Sequence, residues 1–67
     1  MKIKNHLKLY RVQADLTQEQ LASILGVRRE TILFLEKKKH VPSLELAIKI
    51  SRFFKVKIED IFYVEED

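Results

Sequence analysis

Sixty-seven residues, 46% of them apolar, with one Gly, one Pro and no Cys, allow a single small domain with a modest core. This composition excludes a disordered or loop-rich chain, a disulfide framework, a thiolate metal site and a cysteine nucleophile. The net charge of +3 is uneven. Residues 1–57 hold all 13 Lys and Arg against five acids, a balance of +8, whereas the last ten residues hold five acids and no base, −5. A basic body suits an anionic partner.

The spacing predicts five helices in chain order. Helix 1 runs from about Ile3 to Gln13, with Ile3, Leu7, Tyr10 and Ala14 on one stripe, and Asp15 ends it in the left-handed conformation. Thr17 caps helix 2, about 17–25, and Gln20 three residues on completes a capping box. Gly26 supplies the turn, and helix 3 follows over about 28–37.

Pro42 disfavours helix at Val41, and Ser43 caps helix 4, which extends to about Phe54 and buries Leu44, Ala47, Ile50, Ser51 and Phe54. Short helix 5 turns Ile58, Ile61 and Phe62 inward and carries Glu59 and Asp60 in its first turn, where the helix dipole favours acids. Phe62-Tyr63-Val64 is β-prone and suited to leave the domain as an extended strand, with 63–67 as a C-terminal tail.

Within this order Leu21, Leu25, Val27, Ile32 and Leu35 stand at the spacing of two short amphipathic helices joined at Gly26. That is the pattern of a helix-turn-helix, whose second helix enters the DNA major groove. Catalysis has no footing: the chain has no Ser–His–acid order, no Gly-rich phosphate loop and no paired carboxylates at a pocket. His6 and His40 read as surface residues without metal-ligand spacing. Tyr10, Phe53, Phe54 and Phe62 read as core or dimer contacts. The segment M-K-I-K-N-H-L-K has no apolar stretch of a leader, and no run of about 18 apolar residues exists to span a bilayer, so a cytoplasmic location is expected.

The stretches L-T-Q-E-Q-L-A-S-I-L-G-V, E-T-I-L-F-L-E and V-P-S-L-E-L-A-I-K-I-S-R-F-F-K-V-K-I-E-D-I-F resemble the Cro/cI-type regulators of the Xre family. The resemblance covers about Leu7 to Phe62 and implies an all-α, compact five-helix, lambda-repressor-like domain that binds double-stranded operator DNA as a two-fold dimer. It places phosphate contacts at Thr17 and Gln18, at the start of helix 2, and at Lys37, Lys38 and Lys39 after helix 3. Base-reading positions fall on Arg28, Arg29, Glu30, Leu33 and Phe34. Arg29 is the best candidate, because guanidinium pairs bidentately with guanine O6 and N7. Arg11 and Glu36 match a structural ion pair.

The chain departs from that family pattern at several places. Arg28 stands where Ser or Thr is common, Lys37-Lys38 replaces Asn-Gly, Leu33 and Phe34 replace polar residues, and Lys57 replaces Ser or Thr. A lysine in a left-handed turn costs roughly 1 kcal/mol, and an arginine at a helix N-terminus about 0.3–1 kcal/mol. Both changes add positive charge to the expected DNA face. Leu33 and Phe34 are open to two readings, contact with thymine methyls or a protein interface.

The function expected is a sequence-specific transcriptional regulator, a repressor working as a homodimer on an inverted repeat. Its dimer surface would lie at Ile61, Phe62, Tyr63 and Val64, and it would need no cofactor, metal or small-molecule ligand. The alternative from another class is a protein-interaction module, such as an antitoxin or adaptor subunit. A third is non-specific binding through the basic face, which predicts a steep salt slope without base preference.

Overall fold

The computed structural model describes residues 2–38 and 40–66. Its elements are β1 (Lys2–Asn5), α1 (Leu7–Gln13), α2 (Gln18–Leu25), α3 (Arg29–Glu36), α4 (Leu44–Phe54), α5 (Ile58–Ile61) and β2 (Phe62–Glu65). The helices wrap one core whose fully buried side chains are Leu7, Leu21, Ile32, Leu35, Ile50 and Ile61. Small Ala22 is buried between them on α2, the helix packed most closely on α3.

Local chemistry sets the helix boundaries. The Thr17 hydroxyl accepts from the Gln20 N–H (3.0 Å) while the Gln20 side chain accepts from the Thr17 N–H (2.9 Å), so two otherwise orphan donors are satisfied reciprocally. Ser43 Oγ accepts from the Leu46 N–H at 3.1 Å. Asp60 accepts from the Lys57 N–H at 2.9 Å.

α1, α2 and α4 end in one manner. A left-handed residue follows each helix (Asp15, Gly26, Lys55), and the next N–H returns to a carbonyl five residues back: Leu16 to Arg11, Val27 to Ala22, Val56 to Ser51. A Cβ on Gly26 would meet nothing within 4 Å, so glycine is favoured there by its φ of 72° and not by space.

Four expectations are corrected. First, the fold is mostly helical and not all-α. Lys2–Asn5, read as the start of helix 1, is a strand pairing antiparallel with β2 in the register Lys2↔Glu65, Ile3↔Val64, Lys4↔Tyr63, Asn5↔Phe62. The apolar spacing of Ile3, Leu7 and Tyr10 suits a helix, but Ile3 reaches the core equally well from a strand, and β2 supplies the ladder. Second, Phe62–Val64 does not leave the domain; it is held by β1, and Tyr63 stacks on His6 with ring centroids 4.6 Å apart. Third, Leu44 is 73% exposed and Leu46 is buried in its place, because α4 starts at Leu44 and turns its first residue outward. Ala14, placed on the inner stripe of helix 1, lies exposed beyond the end of α1.

Candidate nucleic-acid interface

α3 follows α2 across the Gly26 turn, and its buried residues Ile32 and Leu35 fix which side faces out. The outward side carries Arg28, Arg29 and Glu30 at its start and Lys37 and Lys38 at its end, all exposed. Arg28 is the N-cap residue with extended backbone, and its side chain makes no capping bond. Lys38 keeps the left-handed turn at φ 62° without glycine. Among the described residues the ion pair formed is Arg11–Glu36, so none of these four cations is neutralised by a described carboxylate. Lys39 lies outside the described residues.

The C-terminal end of α3 is clamped from two sides. Glu36 accepts from Arg11 Nε at 2.6 Å, Arg11 Nη2 at 3.1 Å and Gln18 Nε2 at 3.1 Å, so one carboxylate ties α1, α2 and α3 together. Arg11 Nη1 also donates to the Leu16 carbonyl at 2.7 Å. The guanidinium holds its proton more tightly than a free arginine, chiefly through the hydrogen bond to Glu36; burial acts against this and charge attraction adds to it.

On the other side, buried Asn5 donates from Nδ2 to the Leu35 carbonyl (2.8 Å) while its Oδ1 accepts from the Leu7 N–H (3.0 Å). One amide thus takes the Leu7 N–H at the start of α1 and gives the Leu35 carbonyl at the end of α3 a second donor beside the Lys38 N–H. Sequence reasoning missed Asn5. The available signal was a helix-start residue two positions before an apolar Leu.

Thr17 and Gln18 sit at the start of α2, but both are partly engaged. The Thr17 hydroxyl oxygen is committed to the cap, leaving its O–H free to donate, and Gln18 spends one of its two amide hydrogens on Glu36. Leu33 is half-buried. Phe34 is 36% exposed and meets the edge of His40 with ring centroids 5.2 Å apart. Of the residues placed on the dimer surface, Ile61 and Phe62 are core side chains, Tyr63 is half-buried under His6, and Val64 alone is well exposed, at 50%. No described helix is long and apolar enough to cross a membrane, and the described His, Asp and Glu side chains form no group of three able to hold a metal ion.

A helix-turn-helix family model matches residues 7–61. The chain is 60% identical over 65 residues to an uncharacterized HTH-type transcriptional regulator of Methanocaldococcus jannaschii, covering 97% of this chain and 98% of that one. It is 43% identical to the uncharacterized HTH-type transcriptional regulator YgzD of Bacillus subtilis, with the same coverage of both. A crystal structure from Bacteroides fragilis superposes with a TM-score of 0.80 at 23% identity, covering 91% of this chain and 98% of that one, which speaks for the fold alone. By sequence, this chain belongs to the helix-turn-helix family of Cro/cI type.

Proposed function

We propose that residues 1–67 act as one DNA-binding unit of a transcriptional regulator, with α3 in the major groove of double-stranded DNA. The observation that carries this is the outward side of α3, where Arg28, Arg29, Lys37 and Lys38 stand without carboxylate partners on a helix held by Glu36 and Asn5. Arg28, Lys37, Lys38 and Lys39 contact phosphates and set register, together with the donors left at Thr17 and Gln18. Arg29 reads guanine, Glu30 accepts from cytosine N4, and the exposed part of Phe34 with Leu33 meets thymine methyls.

One domain covers one half-site, and a homodimer on an inverted repeat with half-sites about one helical turn apart gives useful affinity. Bound over a promoter, such a dimer represses.

The test is selection of bound duplexes from a randomised pool at about 150 mM salt, where purely electrostatic binding is weakened. Enrichment of an inverted repeat is the expected result. Binding without enrichment, by a folded protein, overturns the sequence-reading role.

A further inference from the structure

Glu30 and Phe34 stand four residues apart on α3, one turn of helix, which sets them side by side on one face. Both are exposed, and both line an open cleft of about 410 Å³ between α3 and residues 40–46. Buried Leu35 and Leu46 also line it. The His40 and Phe34 rings meet at 79° with centroids 5.2 Å apart, so the phenyl ring is braced by a neighbour. Arg28 lines the same cleft and offsets the negative charge that Glu30 carries toward DNA phosphates.

The two side chains require different things of a base edge. A carboxylate only accepts hydrogen bonds, so it needs a donor. A phenyl ring supplies apolar contact, which a methyl group matches. In the major groove cytosine offers the N4–H₂ donor without a methyl, and thymine offers a C5 methyl beside the O4 acceptor, which repels a carboxylate. The N6–H₂ donor of adenine stands beside the N7 acceptor and brings no methyl, and guanine presents acceptors alone. 5-Methylcytosine carries the N4–H₂ donor and a C5 methyl on adjacent ring carbons, and so meets both requirements.

We infer that Glu30 and Phe34 act on the same base and that this base is 5-methylcytosine, which makes the protein a reader of cytosine-methylated DNA. The inference rests on the reading of α3 as the helix in the major groove, and it names the base that one part of the helix takes. The Glu30 carboxylate accepts from the outward N4 hydrogen, and the exposed part of Phe34 covers the methyl group. His40 steadies the ring over that position. The DNA recognised is therefore the product of methyl transfer to cytosine C5.

Two randomised duplex pools test this, one built with cytosine and one with 5-methylcytosine throughout, each bound at about 150 mM salt. In a selected duplex, single cytosines are then exchanged for 5-methylcytosine, N4-methylcytosine or, opposite adenine, thymine. One cytosine in each half-site responds. From the burial of one methyl group, 5-methylcytosine there tightens binding about fourfold in one half-site and about 15-fold in both. Thymine loses the donor and weakens binding by at least about fivefold. N4-methylcytosine, whose methyl replaces the outward hydrogen, also weakens it.

Both side chains are exposed, so their variants fold, and ratios of affinity between duplexes cancel any general loss of binding. Phe34→Ala abolishes the gain from the C5 methyl and keeps cytosine above thymine. Glu30→Gln, whose amide donates to thymine O4, keeps the methyl gain and loses the discrimination against thymine. If a duplex is bound with sequence preference but no methylated cytosine tightens it, or if Phe34→Ala retains the gain, the inference falls and the reading of α3 stands. If neither pool yields an enriched sequence with the protein folded, both fall.

Discussion

Replacing Glu36 by alanine removes the acceptor of three donated hydrogen bonds and strands Arg11 beside α3 without a charge partner. The two side chains are only 5% and 11% exposed, so water compensates little. Removing one member of a buried pair costs about 3–5 kcal/mol. Arg11 keeps the Leu16 carbonyl and some access to solvent, which points to the lower end, about 3 kcal/mol. A domain of this size holds about 3–10 kcal/mol in total, so Glu36→Ala consumes a large part of its stability. At about 4–8 °C per kcal/mol, the melting temperature falls by roughly 12–24 °C.

Urea unfolding followed by circular dichroism measures the change, with an unaltered slope certifying that the native and unfolded states remain comparable. Glu36→Gln falls between, because its amide nitrogen must face one of the Arg11 or Gln18 donors. The double replacement Arg11→Met with Glu36→Leu removes both charges and returns most of the loss, since apolar pairs often substitute for buried ion pairs without cost. A cost below about 1 kcal/mol for Glu36→Ala, or a double variant as unstable as the single one, refutes the view that the buried charge needs its partner.

Arg29→Ala lowers affinity for the selected DNA by about 1–3 kcal/mol and relaxes preference at one base position, read by repeating the duplex selection. Lys38→Gly relieves the left-handed turn and stabilises the fold by about 1 kcal/mol. The same change reduces the slope of log affinity against log salt by about 0.9, if one phosphate contact is lost. Arg28→Ser supplies the missing cap of α3 and stabilises by roughly 0.5–2 kcal/mol in thermal unfolding, again with weaker DNA binding. Asn5→Ala leaves the Leu7 N–H unsatisfied and takes one of its two donors from the Leu35 carbonyl, which keeps the Lys38 N–H, and costs about 1–3 kcal/mol in urea unfolding. Asn5→Asp, which keeps the acceptor but sets a carboxylate against the Leu35 carbonyl, does not rescue it.

The signals that could be read in advance act over a few residues. Thr17 with Gln20, Ser43 with Leu46 and the left-handed Asp15 and Gly26 are decided by bonds within one turn of chain, so composition at fixed offsets is enough to locate them. The helix order and the outward placement of Arg28, Arg29, Lys37 and Lys38 follow from apolar spacing at Leu21, Leu25, Ile32 and Leu35 in the same way. Leu44 shows where such spacing fails, since the first turn of a helix has no preceding turn to pack beneath.

What the sequence determined by itself was thus the helical frame, the turn and the charge on α3, all of them local in the chain. Tertiary structure decided the rest. Ile3 lies in a strand because Val64, some sixty residues on, pairs with it; a short two-stranded ladder has no signature until both strands are found together. Asn5 matters because packing brings its amide to the Leu35 carbonyl at the end of α3, 30 positions away. Glu36 ties three helices because their packing brings Arg11 and Gln18 to one carboxylate. Bonds across such distances depend on the assembled core, and no offset along the chain encodes them.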